Sequence, residues 1–297
     1  MLAGGTGGAA LAAGIQTVSP EHRLTVIANT ADDDDFWGLR VCPDVDAVLY
    51  RLAGMFNDKA GYGVKDDTFG VLDALRRAGE DVWFQIGDRD FATHLLRTEM
   101  LRRGSRLTEA TLELCRRFGV AARVLPMSDD IVRTRFETDQ GQLSFQEYFV
   151  RERLQPKLRG IKFASPEPAL ATDEVLGALR GADLVVIGPS NPLISIDPIL
   201  QLTREAIPRD RTVAVTPIVG GAALKGPTVE MMRSMGLDPS PSGIARWYLA
   251  YASRFVLDER DRDLSATIEK LGYRVMVCDT VMRDGGKTLA AKVLGDV

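Results

Sequence analysis

Short apolar runs recur along this chain, separated by stretches whose apolar residues return every three or four positions. The runs are Leu24–Ala28, Val82–Ile86, Ala122–Leu125, Leu184–Ile187, Thr212–Thr216, Arg254–Leu257 and Arg274–Cys278. Runs this short and this continuously apolar suit strands buried on both faces of a parallel sheet. The intervening period predicts helices over Phe91–Arg103, Thr108–Phe118, Asp173–Leu179, Thr228–Met235 and Leu264–Leu271, with Thr108 as the cap of its own helix. Repeated alternation of the two patterns predicts an α/β fold, a parallel sheet with helices on both faces. One stretch departs from it. Ile131–Phe149 alternates apolar and polar residues on either side of Asp139-Gln140-Gly141, the signature of a β-hairpin. We therefore expect one domain over residues 1–297 with an embedded excursion near residues 131–165.

Composition narrows the class of function. The chain has 297 residues, 45% hydrophobic and 26% charged, enough for a large buried core and unlike a disordered chain. Its 37 basic and 41 acidic residues leave a net charge of −4, which gives no whole-protein attraction to nucleic acid or to an anionic membrane. No apolar run approaches the roughly 20 residues of a membrane helix, and no charged-then-apolar leader is legible at the start. Cys42, Cys115 and Cys278 stand far apart, without metal-ligand or redox spacing. Such sparse cysteine suits a reducing compartment, and the cytoplasm is the expected location. With only His22 and His94, a multi-histidine zinc centre is not expected.

Candidate chemistry gathers directly after the predicted strands, where ligands of parallel sheets bind. Gly4-Gly5-Thr6-Gly7-Gly8-Ala9-Ala10 follows the short apolar Met1-Leu2-Ala3. Gly5, Gly7 and Ala10 fit the loose G-x-G-x-x-G/A spacing of a Rossmann-like turn, where glycine admits a phosphate and a helix N-terminus supplies N–H donors. The same glycines also suit a tight ligand-free turn, and no Lys-Ser/Thr follows to make a P-loop. Asn29-Thr30-Ala31-Asp32-Asp33-Asp34-Asp35, Pro43-Asp44-Val45-Asp46 and Asp66-Asp67 offer carboxylates of the kind that hold Mg²⁺ together with phosphate oxygens. A charge run is equally the mark of a solvated loop, and Asp34 and Asp35 read that way. In Gly87-Asp88-Arg89-Asp90-Phe91-Ala92-Thr93-His94, Arg89 can clamp a phosphate or carbonyl; alternatively Asp90 caps the helix and Arg89 pairs with an acid. Leu125-Pro126-Met127-Ser128 places Met127 where it can pack on an aromatic ligand. Gly188-Pro189-Ser190-Asn191-Pro192 offers Ser190 and Asn191 as anion donors, or as turn residues only.

Taken in order, these segments resemble the CofD family of 2-phospho-L-lactate transferases, called FbiA in actinobacteria. The resemblance rests on GGTGG (Gly4–Gly8), NTADD (Asn29–Asp33), PDVD (Pro43–Asp46), DDTFG (Asp66–Gly70), GDRDFATHLLR (Gly87–Arg97), LPMSDD (Leu125–Asp130), FQEYFVR (Phe145–Arg151), GPSNPLISIDPIL (Gly188–Leu200) and DERDR (Asp258–Arg262). It implies a Mg²⁺-dependent enzyme of coenzyme F-420 synthesis. In that reaction the ribityl hydroxyl of the deazaflavin Fo attacks the phosphorus of a guanylylated phospho-acid, and GMP leaves. It also implies site residues: Asp32 and Asp44 catalytic; Asp32, Asp33 and Asp44 at the metal; Asp44, Arg89, Thr93, His94 and Met127 around Fo; Gly5, Thr6, Gly7, Ser190 and Asn191 around the guanylyl and phosphate groups. Four features depart from the family pattern: the short strand before GGTGG, the acidic Asp34-Asp35 extension, Ala47 where Thr is frequent and Asp197 where Gly is common.

Phospholactate, phosphoenolpyruvate and phosphoglycerate donors differ only in carrying a methyl, a methylene or a hydroxymethyl group; a difference of about that size is worth only about 1–3 kcal/mol in a pocket, and no residue here selects among them. Partners are expected to be these small molecules, with no nucleic acid and no membrane, and a homodimer is the prior for such an enzyme. Two other readings share parts of the pattern. A YvcK-like regulator would bind a nucleotide-sugar without transfer. A nicotinamide oxidoreductase would use the glycine loop, but the strand before Thr30 ends in Asn29 where such a site wants an acid.

Overall fold

The computed structural model describes residues 1–20, 23–224 and 226–295, so His22 lies outside the described residues. Seven strands build the central sheet: β1 (Leu2–Ala3), β2 (Thr25–Ala28), β3 (Arg123–Pro126), β4 (Val185–Ile187), β5 (Thr212–Val215), β6 (Arg254–Asp258) and β7 (Arg274–Cys278). Their spatial order is β7-β6-β5-β4-β1-β2-β3, and every pairing is parallel. From β1 the chain winds outward through β2 and β3, then crosses to β4 and winds the other way. The reversal leaves a crevice between β1 and β4 at their carboxyl ends.

Alternating side chains along each strand supply two cores. Leu2, Ile27, Leu125, Ile187, Ala214 and Phe255 face one side. Their neighbours Ala3, Val26, Val124, Val186, Val213 and Val256 face the other. That is the period-two geometry of a strand buried on both faces. Helix α1 (Gly5–Val18) follows β1 and packs beside α2 (Pro43–Leu52) and the C-terminal helix Lys287–Leu294. Helices α3 (Asp88–Arg102) and α4 (Leu107–Arg117) follow and pack against one another. The predicted excursion is a small antiparallel sheet. Its hairpin pairs Arg133–Thr138 with Gly141–Ser144, and a third strand, Leu158–Ala164, which the sequence pattern did not reveal, pairs with the far edge of Arg133–Thr138.

Four local expectations fail, the first three for a tertiary reason. Val82–Ile86 is not a strand. Its half-buried aromatics pack instead against a short antiparallel ribbon, Asp34–Phe36 with Leu39–Val41: Phe84 stacks on Phe36 with centroids 4.0 Å apart, and Trp83 meets Phe36 edge-on. Helix α3 begins three residues before Phe91, because Asp67 accepts the N–H groups of Arg89 and Asp90 at 2.8 and 3.1 Å. Asp90 is thus no cap; it sits inside the first turn. Thr108 is no cap either. Helix α4 starts at Leu107, and Asp129 accepts the Thr108 N–H at 2.7 Å while Glu109 accepts that of Arg106 at 2.9 Å. In both helices a distant aspartate takes the place of a local capping side chain. The Leu264–Leu271 pattern resolves into a 3₁₀ turn, Glu259–Leu264, followed by a short helix, Ser265–Glu269.

Candidate active site

The crevice at the β1–β4 switch is floored by three loops. Gly4–Gly8 leaves β1, Asn29–Asp33 leaves β2 and Gly188–Asn191 leaves β4. The glycines are needed first for packing. A Cβ on Gly7 would lie 2.4 Å from the Pro189 carbonyl oxygen, and one on Gly4 would lie 2.4 Å from Ser195 Cβ and 2.7 Å from Asp44 Oδ2. Gly5 adopts φ +48, a left-handed conformation that favours glycine. Helix α1 therefore starts tight against the β4 loop, and its first N–H groups face the crevice.

Ser190 and Asn191 are occupied within this frame. Ser190 Oγ accepts the Gly4 N–H at 3.1 Å and donates to the Gly4 carbonyl at 2.5 Å. Asn191 Oδ1 accepts the Leu193 N–H at 2.9 Å, opening the π-helical turn Pro192–Ile196. Ser190 thus ties the β4 loop to the β1 loop, and Asn191 acts as turn chemistry within its own segment.

Asp32 and Asp44 meet at the centre, both buried. Asn29, fully buried, stands between them. Its Nδ2 donates to Asp44 Oδ2 at 3.0 Å, to Asp32 Oδ2 at 3.1 Å and to the Ile194 carbonyl at 3.2 Å. Thr134 of the small sheet donates its hydroxyl to Asp32 Oδ1 at 2.9 Å. Burial, and next to it the negative charge of Asp44, push the Asp32 carboxyl well above the usual carboxylate range; the Thr134 and Asn29 hydrogen bonds only partly oppose this. Burial pushes Asp44 up to about 6 against the pull of Asn29 and the Gly5 N–H. Among the described residues, no cation is among the main influences on either carboxyl. A buried carboxylate pair without a positive partner fits a divalent metal ion.

Asp33 belongs to a different environment. Burial raises it to about 7, while the Cys42 thiol and the cations Arg133, Arg97 and Arg40 pull it down. Asp32, Asp33 and Asp44 therefore do not converge as one ligand set. Among the described residues, the group of three whose ligand atoms all lie within 4.8 Å of one another is Asp46, Asp90 and His94. Asp46 sits two residues beyond Asp44 on α2 and so points elsewhere: it makes a paired ion bridge with the fully buried Arg97 of α3. His94 Nδ1 lies 3.5 Å from Asp46, its Nε2 lies 3.2 Å from Asp90, and Tyr50 donates to Asp90 at 2.6 Å. Arg97 already supplies the positive charge here, so this group reads as an internal network rather than a cation site.

A cavity of about 170 Å³ joins the two clusters. Gly5, Thr6, Asp44, Asp46, Tyr50 and His94 line it, with Phe84 and Gln85. Thr93 is buried behind it against Tyr50. Like Thr93, two further expected Fo contacts are absent from the lining of this cavity. Met127 is fully buried in the core below β2 and β3. Arg89 is exposed on the first turn of α3, with the Lys65 carbonyl 3.4 Å from its guanidinium. Sequence reasoning missed Asn29, Tyr50 and Thr134 as site residues; only the first carried a signal, as the polar residue closing β2.

Residues 1–294 match the family described as 2-phospho-L-lactate transferase CofD. The 2-phospho-L-lactate transferase of Methanosarcina mazei is 38% identical over 97% of this chain and 96% of its own length. That of Methanopyrus kandleri is 40% identical over 96% and 92%. The phosphoenolpyruvate transferase of Streptomyces griseus is 38% identical over 98% and 94%. A crystal structure of a UPF0052-family protein from Bacillus halodurans superposes with a TM-score of 0.62, covering 99% of this chain and 97% of that one, at 18% identity. This last likeness bears on the fold alone.

Proposed function

The chain belongs to the CofD family of 2-phospho-L-lactate transferases and is a transferase; from that premise we propose that it moves a phospho-acid group from a guanylylated donor to the ribityl hydroxyl of Fo, releasing GMP. The observation that carries this reading is the Asp32–Asn29–Asp44 arrangement at the switch point, facing the N-terminus of α1. Phosphoryl transfer asks mainly for positioning and charge neutralisation, which this arrangement offers. An alcohol is a poor nucleophile, and a carboxylate that accepts its proton assists it. Asp44 is the base in this reading, because it lines the cavity and still ionises near neutrality. Its Oδ takes the hydroxyl proton as the ribityl oxygen bonds to the phosphorus beside the acid. The phosphorus–oxygen bond to GMP breaks, and its electron pair leaves with GMP. The Gly5 N–H holds Asp44, and the N–H groups of Thr6 and Gly7 at the start of α1 would receive the phosphates. Asp32 and Asp44 would hold Mg²⁺, which when bound offsets charge on the phosphate oxygens.

The donor is left open by the relatives: the methanogen enzyme and the Streptomyces enzyme are equally similar, and their names specify different phospho-acids. A cytoplasmic homodimer belongs to the same proposal; no described helix is long and apolar enough to cross a membrane. The test is purified protein with Mg²⁺, Fo and each of the three guanylylated donors, read by mass spectrometry. Phosphodiester product and GMP from one donor establish the reaction and name the acid. No product from any donor, with uridine-diphosphate-sugar binding by the folded protein, would replace this reading with that of a regulatory binding protein.

A further inference from the structure

We infer that Asn29 is a positioning residue: its carboxamide, clamped between Asp32 and Asp44, holds the two carboxylates at the spacing that receives the divalent cation, and the small antiparallel sheet completes the hold through Thr134. The inference rests on the metal reading of this carboxylate pair given above.

Two buried carboxylates that face one another repel, and without a donor between them they turn apart or take up protons. Asn29 Nδ2 is the donor that both share. The amide is itself fixed, because Oδ1 accepts the Ala31 N–H at 2.9 Å and Nδ2 reaches the Ile194 carbonyl in the π-helical turn. Asp at this position would offer no donor and add a third negative charge. Ala would leave both carboxylates without their common partner.

The second clamp comes from a distant part of the chain. Thr134 donates through its backbone N–H to the Ala31 carbonyl at 2.6 Å and through its hydroxyl to Asp32 Oδ1 at 2.9 Å. Gln146 Nε2 donates to the Asp32 carbonyl at 3.1 Å. The excursion thus holds the loop that carries Asp32 by three hydrogen bonds, and its place in the sequence between β3 and β4 acquires a function: it fixes one ligand of the pair from above while Asn29 spaces the other. Partners of metal ligands that act this way usually change affinity by about 10–100-fold when removed.

The test uses Mn²⁺ as the probe, with binding to the full chain followed by electron paramagnetic resonance and calorimetry in the absence of substrates. Asn29→Ala is expected to weaken Mn²⁺ binding by about 10–100-fold, and Thr134→Val by about 10-fold, with Thr134→Ser restoring it. In turnover assays the Mg²⁺ concentration for half activation should rise in step while the KM for Fo stays unchanged. Unchanged Mn²⁺ affinity in folded Asn29→Ala and Thr134→Val would overturn the inference, even if both variants melt earlier. If Asn29→Ala does not fold, the Thr134 pair alone decides. Wild-type protein that binds no Mn²⁺ overturns the metal reading itself, and the positioning role with it.

Discussion

Replacing Asp44 by Asn should make the metal-free protein more stable while removing its activity. Asp44 has a carboxyl raised from 3.8 to about 6 inside the fold, with burial as the main cause. An unfolded chain ionises this group near its ordinary value, so the folded state loses stability as pH rises from about 4 through 6. At about 1.36 kcal/mol per pKa unit, the ionised group destabilises the folded state by roughly 3 kcal/mol at pH 7.5 and by about 1 kcal/mol at pH 4.5. The carboxamide carries no charge to desolvate, and it relieves Asp32 of the neighbouring charge that raises it. Its own Oδ1 still accepts from Asn29 or from Gly5. We expect Asp44→Asn to gain about 1–3 kcal/mol at pH 7.5, a few degrees in melting temperature for a chain of this size, and clearly less at pH 4.5. Chelator-treated protein, unfolded by urea or heat at both pH values, gives the comparison. Turnover should fall by about 10²–10⁴-fold, the usual contribution of a general base. Equal or lower stability of the variant at pH 7.5, with no dependence on pH, would refute the buried-charge argument. Wild-type turnover would refute the catalytic role.

Other perturbations probe the frame around this centre. Gly7→Ala drives a methyl into the Pro189 carbonyl, and since that carbonyl is backbone and cannot swing aside the expected loss is about 1–3 kcal/mol in a denaturant titration; an unchanged midpoint would show that the two loops can part freely. Arg97→Met strands Asp46 without its guanidinium in a buried site, and a loss of about 3–5 kcal/mol is expected. A smaller loss, under about 1 kcal/mol, would mean that the site accommodates Asp46 without the guanidinium. Arg89→Ala removes an exposed side chain and should leave the melting temperature within experimental error. A rise in the KM for Fo or donor would then mark Arg89 as a substrate contact that closes onto the cavity, and unchanged kinetics would remove it from the site.

The parallel sheet was legible because its strands are buried on both faces, and continuous apolar runs such as Leu184–Ile187 and Thr212–Thr216 can satisfy that environment and few others. The glycine loop was legible for a related reason: a tight passage between β1 and α1 tolerates no side chain, so the requirement is written directly as residue identity. Val82–Ile86 misled because aromatic and β-branched residues satisfy a loop cluster as well as a strand, and the Phe36 ring that receives them lies about 48 residues earlier. Met127 misled because a thioether beside a predicted crevice reads the same whether it faces the ligand or the core.

By itself the sequence determined the layers of the fold, the loops that carry chemistry and the residues those loops offer, since backbone period and side-chain type are local properties. Which carboxylates face one another was decided only in three dimensions. Asp32 and Asp33 are neighbours in sequence, yet one turns to Asn29 and Asp44 and the other to Cys42 and three arginines. Asp44 and Asp46 share one helix and both line the cavity, yet the two-residue step gives one to Asn29 and the other to Arg97. Thr134, 102 residues from Asp32, reaches it only because the small sheet folds back over the β2 loop. Hydrogen bonds and desolvation act over a few ångströms of space, and the chain brings distant residues within that range only once both cores are packed.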